Sequence, residues 1–233
     1  MKDNSYEKCE QLIKETNVKS RYIDNYNEHF LKDRYKIKKI MEIGVLYGDS
    51  IHLWENYFPN ATITAIDIKR SDIKFSDRVT IAMANQANRR HLKRVIKENG
   101  KDYDIIIDDG GHWMHQQQIS FGFLFKYLKS GGWYVLEDLY SSTYRPYAYD
   151  VVEFYEMLRY HDRTYYPREV GKYGTLEDMS NSTRNMFKSW IDTKSLKSKY
   201  LTKNEIEYLN ENIKNCNIYE TEDNGVICFI QKK

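Results

Sequence analysis

The sequence predicts an α/β fold: a seven-stranded, mostly parallel sheet with helices on both faces and a C-terminal antiparallel hairpin. Three observations lead there. From Ile37 onward, short and nearly all-apolar runs alternate with segments of helical spacing, the pattern of strands buried on both faces of a parallel sheet. Several of those runs end in glycine or in acids. After Tyr140 the alternation stops, and the final stretch, "IKNCNIYETEDNGVICFIQKK", reads as a strand, a turn at Asp223–Gly225 and a last strand.

Taken in order, the first 36 residues are polar, with Leu12, Ile13, Tyr22, Ile23, Tyr26 and Phe30 at roughly helical intervals, and form a helical cap leaning on the core. The first strand is "KIMEIGV", followed by a helix over "DSIHLWENYF". The second is "ATITAIDI" and the third "RVTIAMANQ", followed by the basic helix "RRHLKRVIKENG". "YDIIID" is the fourth strand, "QQISFGFLFKYLKSGG" a helix with a glycine stop, and "WYVLED" the fifth strand. The α/β core of a single domain thus spans 37–140. A helical and irregular segment covers 141–204, including a helix over "VVEFYEMLRY", and the end of a last helix with the closing strands falls in 205–233.

Composition excludes several classes. Thirty-six Lys and Arg against 34 Asp and Glu, a net charge of +2, argue against a nucleic-acid partner, which calls for a basic excess. No apolar run approaches the ~20 residues of a membrane span, and "MKDNSYEKCEQLIKE" lacks the apolar centre of a signal peptide. Three scattered cysteines, Cys9, Cys216 and Cys228, fit neither a disulfide framework nor a zinc knuckle, so a reducing cytoplasm is the expected setting. Only three prolines beside 21 tyrosines reflect the codon bias of an AT-rich genome.

The chemistry concentrates at the strand ends. "EIGVLYGDS" puts Gly44 and Gly48 in the first strand-to-helix turn, where backbone can approach a ligand closely. The G-x-G-x-x-G spacing for a pyrophosphate is absent, which favours a compact adenosine ligand, and Asp67 ends the second strand where a carboxylate can hold ribose hydroxyls. Strands four and five, about 4.8 Å apart as neighbours, end in Asp108-Asp109 and Glu137-Asp138. Four converging carboxylates need either protonation or a hard divalent cation such as Mg²⁺, Mn²⁺ or Ca²⁺. Gly110 and Gly111 lead into His112, an imidazole able to take a proton near neutral pH; His115 is the alternative base.

The stretch "EIGVLYGDSIHLWENYFPNATITAIDI" resembles the first motif of class I S-adenosylmethionine-dependent methyltransferases. It is similar in particular to the metal-dependent sugar O-methyltransferases of macrolide biosynthesis, the mycinamicin type. The resemblance continues through "IIDDGGHWMHQQQISFGFLFKYLKSGGWYVLEDLY" and, faintly, "TNVKSRYIDNYNEHF". It implies the class I methyltransferase Rossmann-like fold, with S-adenosylmethionine bordered by Glu42, Gly44, Gly48 and Ser50, its ribose held by Asp67 and its adenine near Asn85 and Gln86. Asn85 stands where relatives often have an acid. Asp109, Glu137 and Asp138 would hold Mg²⁺ or Mn²⁺ and His112 would be the base, while Asp108 points toward the cofactor or braces the turn. The acceptor would be a sugar or nucleotide-sugar hydroxyl, with surface-polysaccharide sugars favoured over macrolides by the composition. A homo-oligomer is compatible with all of this. Arg145, Arg159, Arg163 and Arg168 could meet a diphosphate. A Rossmann oxidoreductase using NAD, a small-molecule O-methyltransferase with a non-sugar acceptor and a non-catalytic scaffold are the competing readings; the loop spacing and the closing hairpin count against the first, the retained acids against the last.

Overall fold

The structure is a computed structural model and describes residues 4–69, 71–139 and 181–233. Two helices come first, α1 (Ser5–Thr16) and α2 (Ile23–Phe30). The core follows as β1 (Lys39–Ile43), α3 (Asp49–Tyr57), β2 (Thr62–Asp67), β3 (Val79–Met83), α4 (Arg89–Asn99), β4 (Tyr103–Asp108), α5 (Met114–Leu124) and β5 (Leu128–Leu136). After the undescribed stretch come α6 (Thr183–Thr193), α7 (Lys203–Asn212), β6 (Ile213–Glu220) and β7 (Val226–Lys232). The expected helix over "VVEFYEMLRY", His161 and the four arginines from Arg145 to Arg168 lie outside the described residues.

The strands form one sheet in the order β3-β2-β1-β4-β5-β7-β6. β1 to β5 are parallel, whereas β7 runs antiparallel to both β5 and β6. Local chemistry explains several ends. Gly48 starts α3 with φ 83°, a conformation that needs no Cβ. Asn88 caps α4 by accepting from the amides of Arg90 and His91, and Thr202 with Glu205 forms a capping box on α7. One expectation differs. Gly131 and Gly132 do not stop a helix: α5 ends at Leu124, a 3-10 turn follows, and β5 begins at Leu128. The glycines lie where pairing jumps from Tyr103↔Leu128 to Ile105↔Trp133, so they serve a bulge.

Alternation along the strands divides the core into two layers. Ile40, Ile63, Ile105, Ile107 and Val135 face α3 and the N-terminal helices, packing with Tyr26, Trp54 and Phe229. Met41, Ile66, Ile106, Tyr134 and Leu136 face the other layer, with Leu92, Phe121, Phe187 and Leu209. No helix among the described residues is long and apolar enough to cross a membrane.

Candidate active site

The same alternation decides where each acid points. Glu42 follows Ile40 by two positions, Asp109 follows Ile107, and Glu137 follows Val135, so all three turn toward the layer of the N-terminal helices. There they meet Lys19, from the turn between α1 and α2. Its Nζ lies 2.5 Å from Asp109 Oδ2, 2.8 Å from Glu137 Oε1 and 3.3 Å from Glu42 Oε1. Burial would push this ammonium down, but Asp109, Glu137 and Glu42 outweigh it and hold Lys19 well above its usual value. Burial raises the Glu137 carboxyl to about 8 against the pull of Lys19, and raises Glu42 too. Three acids around one ammonium do not each gain a full counter-charge. The hydroxyl of Tyr26 also donates to Glu137 Oε1 at 2.6 Å, and that of Ser50 donates to Glu42 Oε2 at 3.0 Å.

Asp108 turns the opposite way. It is buried and accepts hydrogen bonds from Gln86 Nε2 at 3.0 and 3.2 Å, from the Tyr134 hydroxyl at 3.3 Å, and from Ser120. Burial raises its carboxyl, with Ser120 and Gln86 opposing. Gln86 in turn accepts from the amide of Gly111 at 2.8 Å. This network braces the turn that carries His112. The turn needs its glycines for space, because a Cβ at Gly110 would fall 2.1 Å from Gln86 Oε1, and one at Gly111 2.2 Å from Gln116 Oε1.

Beyond the strand tips, Asp109, His112 and Asp138 each bring a ligand atom to within 4.8 Å of the others. His112 Nε2 is 3.8 Å from Asp109 Oδ1 and 3.7 Å from Asp138 Oδ2. His112 and Asp138 hold left-handed backbone, φ 56° and 55°, a conformation that costs non-glycine residues about 1 kcal/mol or more and gathers at functional sites. The two carboxylates suit a hard divalent ion such as Mg²⁺ or Mn²⁺, so the acids present fit one, with the imidazole of His112 beside it. Of the acids expected to form the ligand set, Asp109 and Asp138 converge here. Glu137 lies inward, against Lys19 and Tyr26.

The expected cofactor residues surround the adjoining end of β1. Gly44, with φ 100°, would clash through a Cβ with the Asp109 carbonyl oxygen at 2.1 Å. Asp67 Oδ2 accepts from the amide of Val45 at 2.8 Å and that of Leu46 at 3.4 Å, and its Oδ1 accepts from Lys69 at 2.8 Å. Asn85 Oδ1 accepts from the Ala87 amide at 2.8 Å. Glu42, Ser50, Gln86 and Asp108 belong to the buried networks above. His115 stands apart in α5, where burial pushes its imidazole down to about 4.

The solved MycE methyltransferase from the mycinamycin biosynthetic pathway, in complex with Mg, SAH and mycinamycin VI, superposes with a TM-score of 0.70 over 96% of this chain and 53% of that one, at 23% identity. The chain has the class I methyltransferase fold. A structure described as a putative caffeoyl-CoA O-methyltransferase from Staphylococcus aureus aligns at TM-score 0.53 and 15% identity, over 96% of this chain and 91% of its own. In sequence, this methyltransferase-fold chain is 33% identical over 124 residues to a tetracenomycin rhamnosyl 3'-O-methyltransferase of Streptomyces olivaceus, covering 50% of this chain and 32% of the relative. It is 30% identical over 128 residues to mycinamicin VI 2''-O-methyltransferase of Micromonospora griseorubida, covering 52% and 32%. The match thus spans about a third of the length of these curated relatives. No family model matches the chain.

Sequence reasoning missed Lys19, Tyr22 and Tyr26. Their partners at the ends of β4 and β5 lie 90 to 116 positions away, and the helical spacing of Tyr22 and Tyr26 marks them only as packing residues. Leu46 and Tyr47, which are 78% and 77% exposed at the tip of the methyltransferase fold's glycine loop, were legible only as loop residues.

Proposed function

We propose that the chain is an S-adenosylmethionine- and divalent-cation-dependent O-methyltransferase acting on a sugar hydroxyl. The observation that carries this reading is the convergence of Asp109, His112 and Asp138 at the tips of β4 and β5, beside the glycine loop and Asp67. The names of the relatives, methyltransferases of sugar-bearing natural products, support the sugar.

In this reading Gly44, Gly48 and the exposed Leu46 and Tyr47 border the cofactor, and Asp67 holds its ribose. S-adenosylmethionine, when bound, would supply a methyl group on its sulfonium, to which the acceptor oxygen would bond in line as the carbon–sulfur bond breaks and S-adenosylhomocysteine leaves. Asp109 and Asp138 would hold the cation, which when bound would supply Lewis acidity that acidifies and orients the acceptor hydroxyl. His112 Nε2 takes the hydroxyl proton, and the two carboxylates flanking it stabilise the imidazolium that results. A second reading is favoured by the inward position of Glu137: His112 completes the ligand set itself.

His112→Asn separates the two. As base, its loss lowers turnover about 10²–10⁴-fold with Mn²⁺ affinity kept; as ligand, Mn²⁺ affinity falls with it. Calorimetry should show S-adenosylhomocysteine binding that weakens in Asp67→Ala, and no NAD binding. Turnover that persists in chelator would remove the cation from the mechanism. The acceptor is found by offering nucleotide-linked sugars, polysaccharide fragments and glycosylated macrolides and reading methylation by mass; the AT-rich composition supports the first two.

A further inference from the structure

Two donors from one short N-terminal turn each take a single oxygen of a converging carboxylate. Lys19 Nζ lies 2.5 Å from Asp109 Oδ2, and the Tyr22 hydroxyl donates to Asp138 Oδ1 at 2.6 Å. The opposite oxygens, Asp109 Oδ1 and Asp138 Oδ2, are the ones that face His112 Nε2. The terminal torsion of an aspartate is broad and roughly two-fold. A donor on one oxygen sets the carboxylate plane and thereby aims the other.

We propose that Tyr22 and Lys19 are positioning residues of the cation site, so that the N-terminal turn is part of the catalytic apparatus as well as a packing cap. The proposal rests on the cation reading given above. Several features support it. Tyr22 and Lys19 are buried, at 3% and 7% exposure, and Lys19 holds left-handed backbone at φ 53°. Arg21, between them, donates to Asp223 Oδ2 at 2.6 Å in the turn joining β6 to β7. The turn is therefore anchored from both sides while Lys19 and Tyr22 reach inward.

Lys19 also brings positive charge close to where a cation would sit, so its removal mixes lost positioning with relieved repulsion. Tyr22→Phe removes one hydroxyl and no charge, and isolates the positioning effect. Mn²⁺ is titrated into the full-length wild type and Tyr22→Phe, with free Mn²⁺ read by electron paramagnetic resonance. S-adenosylhomocysteine affinity is measured by calorimetry and thermal unfolding is followed beside it. The expected result is Mn²⁺ affinity lower by about 10-fold or more, as for other partners of metal ligands, with S-adenosylhomocysteine affinity and unfolding temperature nearly unchanged. Equal Mn²⁺ affinity in both proteins overturns the proposal while leaving the cation site standing. Parallel losses in Mn²⁺ affinity, cofactor affinity and unfolding temperature make Tyr22 a general structural residue and also overturn it. A wild type that takes up no Mn²⁺ overturns the cation reading, and this proposal with it.

Discussion

At the scale of single residues, the site is built from backbone conformations that most side chains avoid. Lys19, His112 and Asp138 all lie at φ between 53° and 56°, and Gly44 at 100° puts its Cα against the carbonyl of Asp109. The sequence marked Gly44 as a place where backbone must come close to something, and assigned the neighbour to a cofactor. The structure adds a neighbour inside the protein: β1 and β4 approach so tightly that a methyl group at Gly44 would overlap Asp109. Gly44→Ala therefore forces backbone to move. It should cost at least about 2 kcal/mol in urea unfolding, and should weaken Mn²⁺ binding by shifting Asp109.

At the scale of elements, strand alternation was the most informative feature that could be read in advance. Counting by twos from Ile107 separates Asp109 from Asp108, and the structure sends them to opposite layers, one to Lys19 and the other to Gln86 and Ser120. The sequence marks α4 only as a basic helix. Arg89, at its first turn, reaches α7: its Nε donates to Glu205 Oε1 at 2.8 Å, and its Nη2 to Glu205 Oε2 at 2.7 Å and to the Tyr200 carbonyl at 2.9 Å. Glu205 also caps α7, so the pair joins a core helix to the C-terminal region. Arg89→Ala should lower stability by about 1–2 kcal/mol, seen as a lower urea midpoint with the slope retained.

At the scale of the whole molecule, two buried groups pull the pH dependence of stability in opposite directions: Glu137, raised to about 8, adds stability as pH falls toward the ordinary carboxylate range, while the contribution of His115 is lost on mild acidification. His115 is kept neutral by burial, with its imidazole pushed down to about 4, whereas in the unfolded chain it protonates near 6.5. Between those values this group binds more protons in the unfolded state, so its contribution to stability decreases as pH falls from about 6.5 to 4. The loss is on the order of 2 kcal/mol once solvent reaching the ring is allowed for. Glu205 shifts in the same direction: although burial raises it, Arg89 and the cap at Thr202 lower it overall. Its contribution is present above the ordinary carboxylate range and disappears as pH drops below it. His115→Gln should remove the downward contribution to stability between pH 6.5 and 4, so that the variant loses less stability than the wild type on acidification through that window, measured by urea unfolding of both at stepped pH.

The sequence by itself determined the strand-helix alternation, the closing hairpin and the acids at the ends of β4 and β5, because burial on both faces and the two-residue period of a strand are local properties. Only the tertiary structure decided which of those acids meet outside the sheet and which are neutralised within it. That choice depends on Lys19, Tyr22 and Tyr26, which fold back from 90 or more positions away. A charge partner so distant leaves no periodicity to read: it exists only once α1 and α2 pack against the sheet and bury an ammonium among the carboxylates.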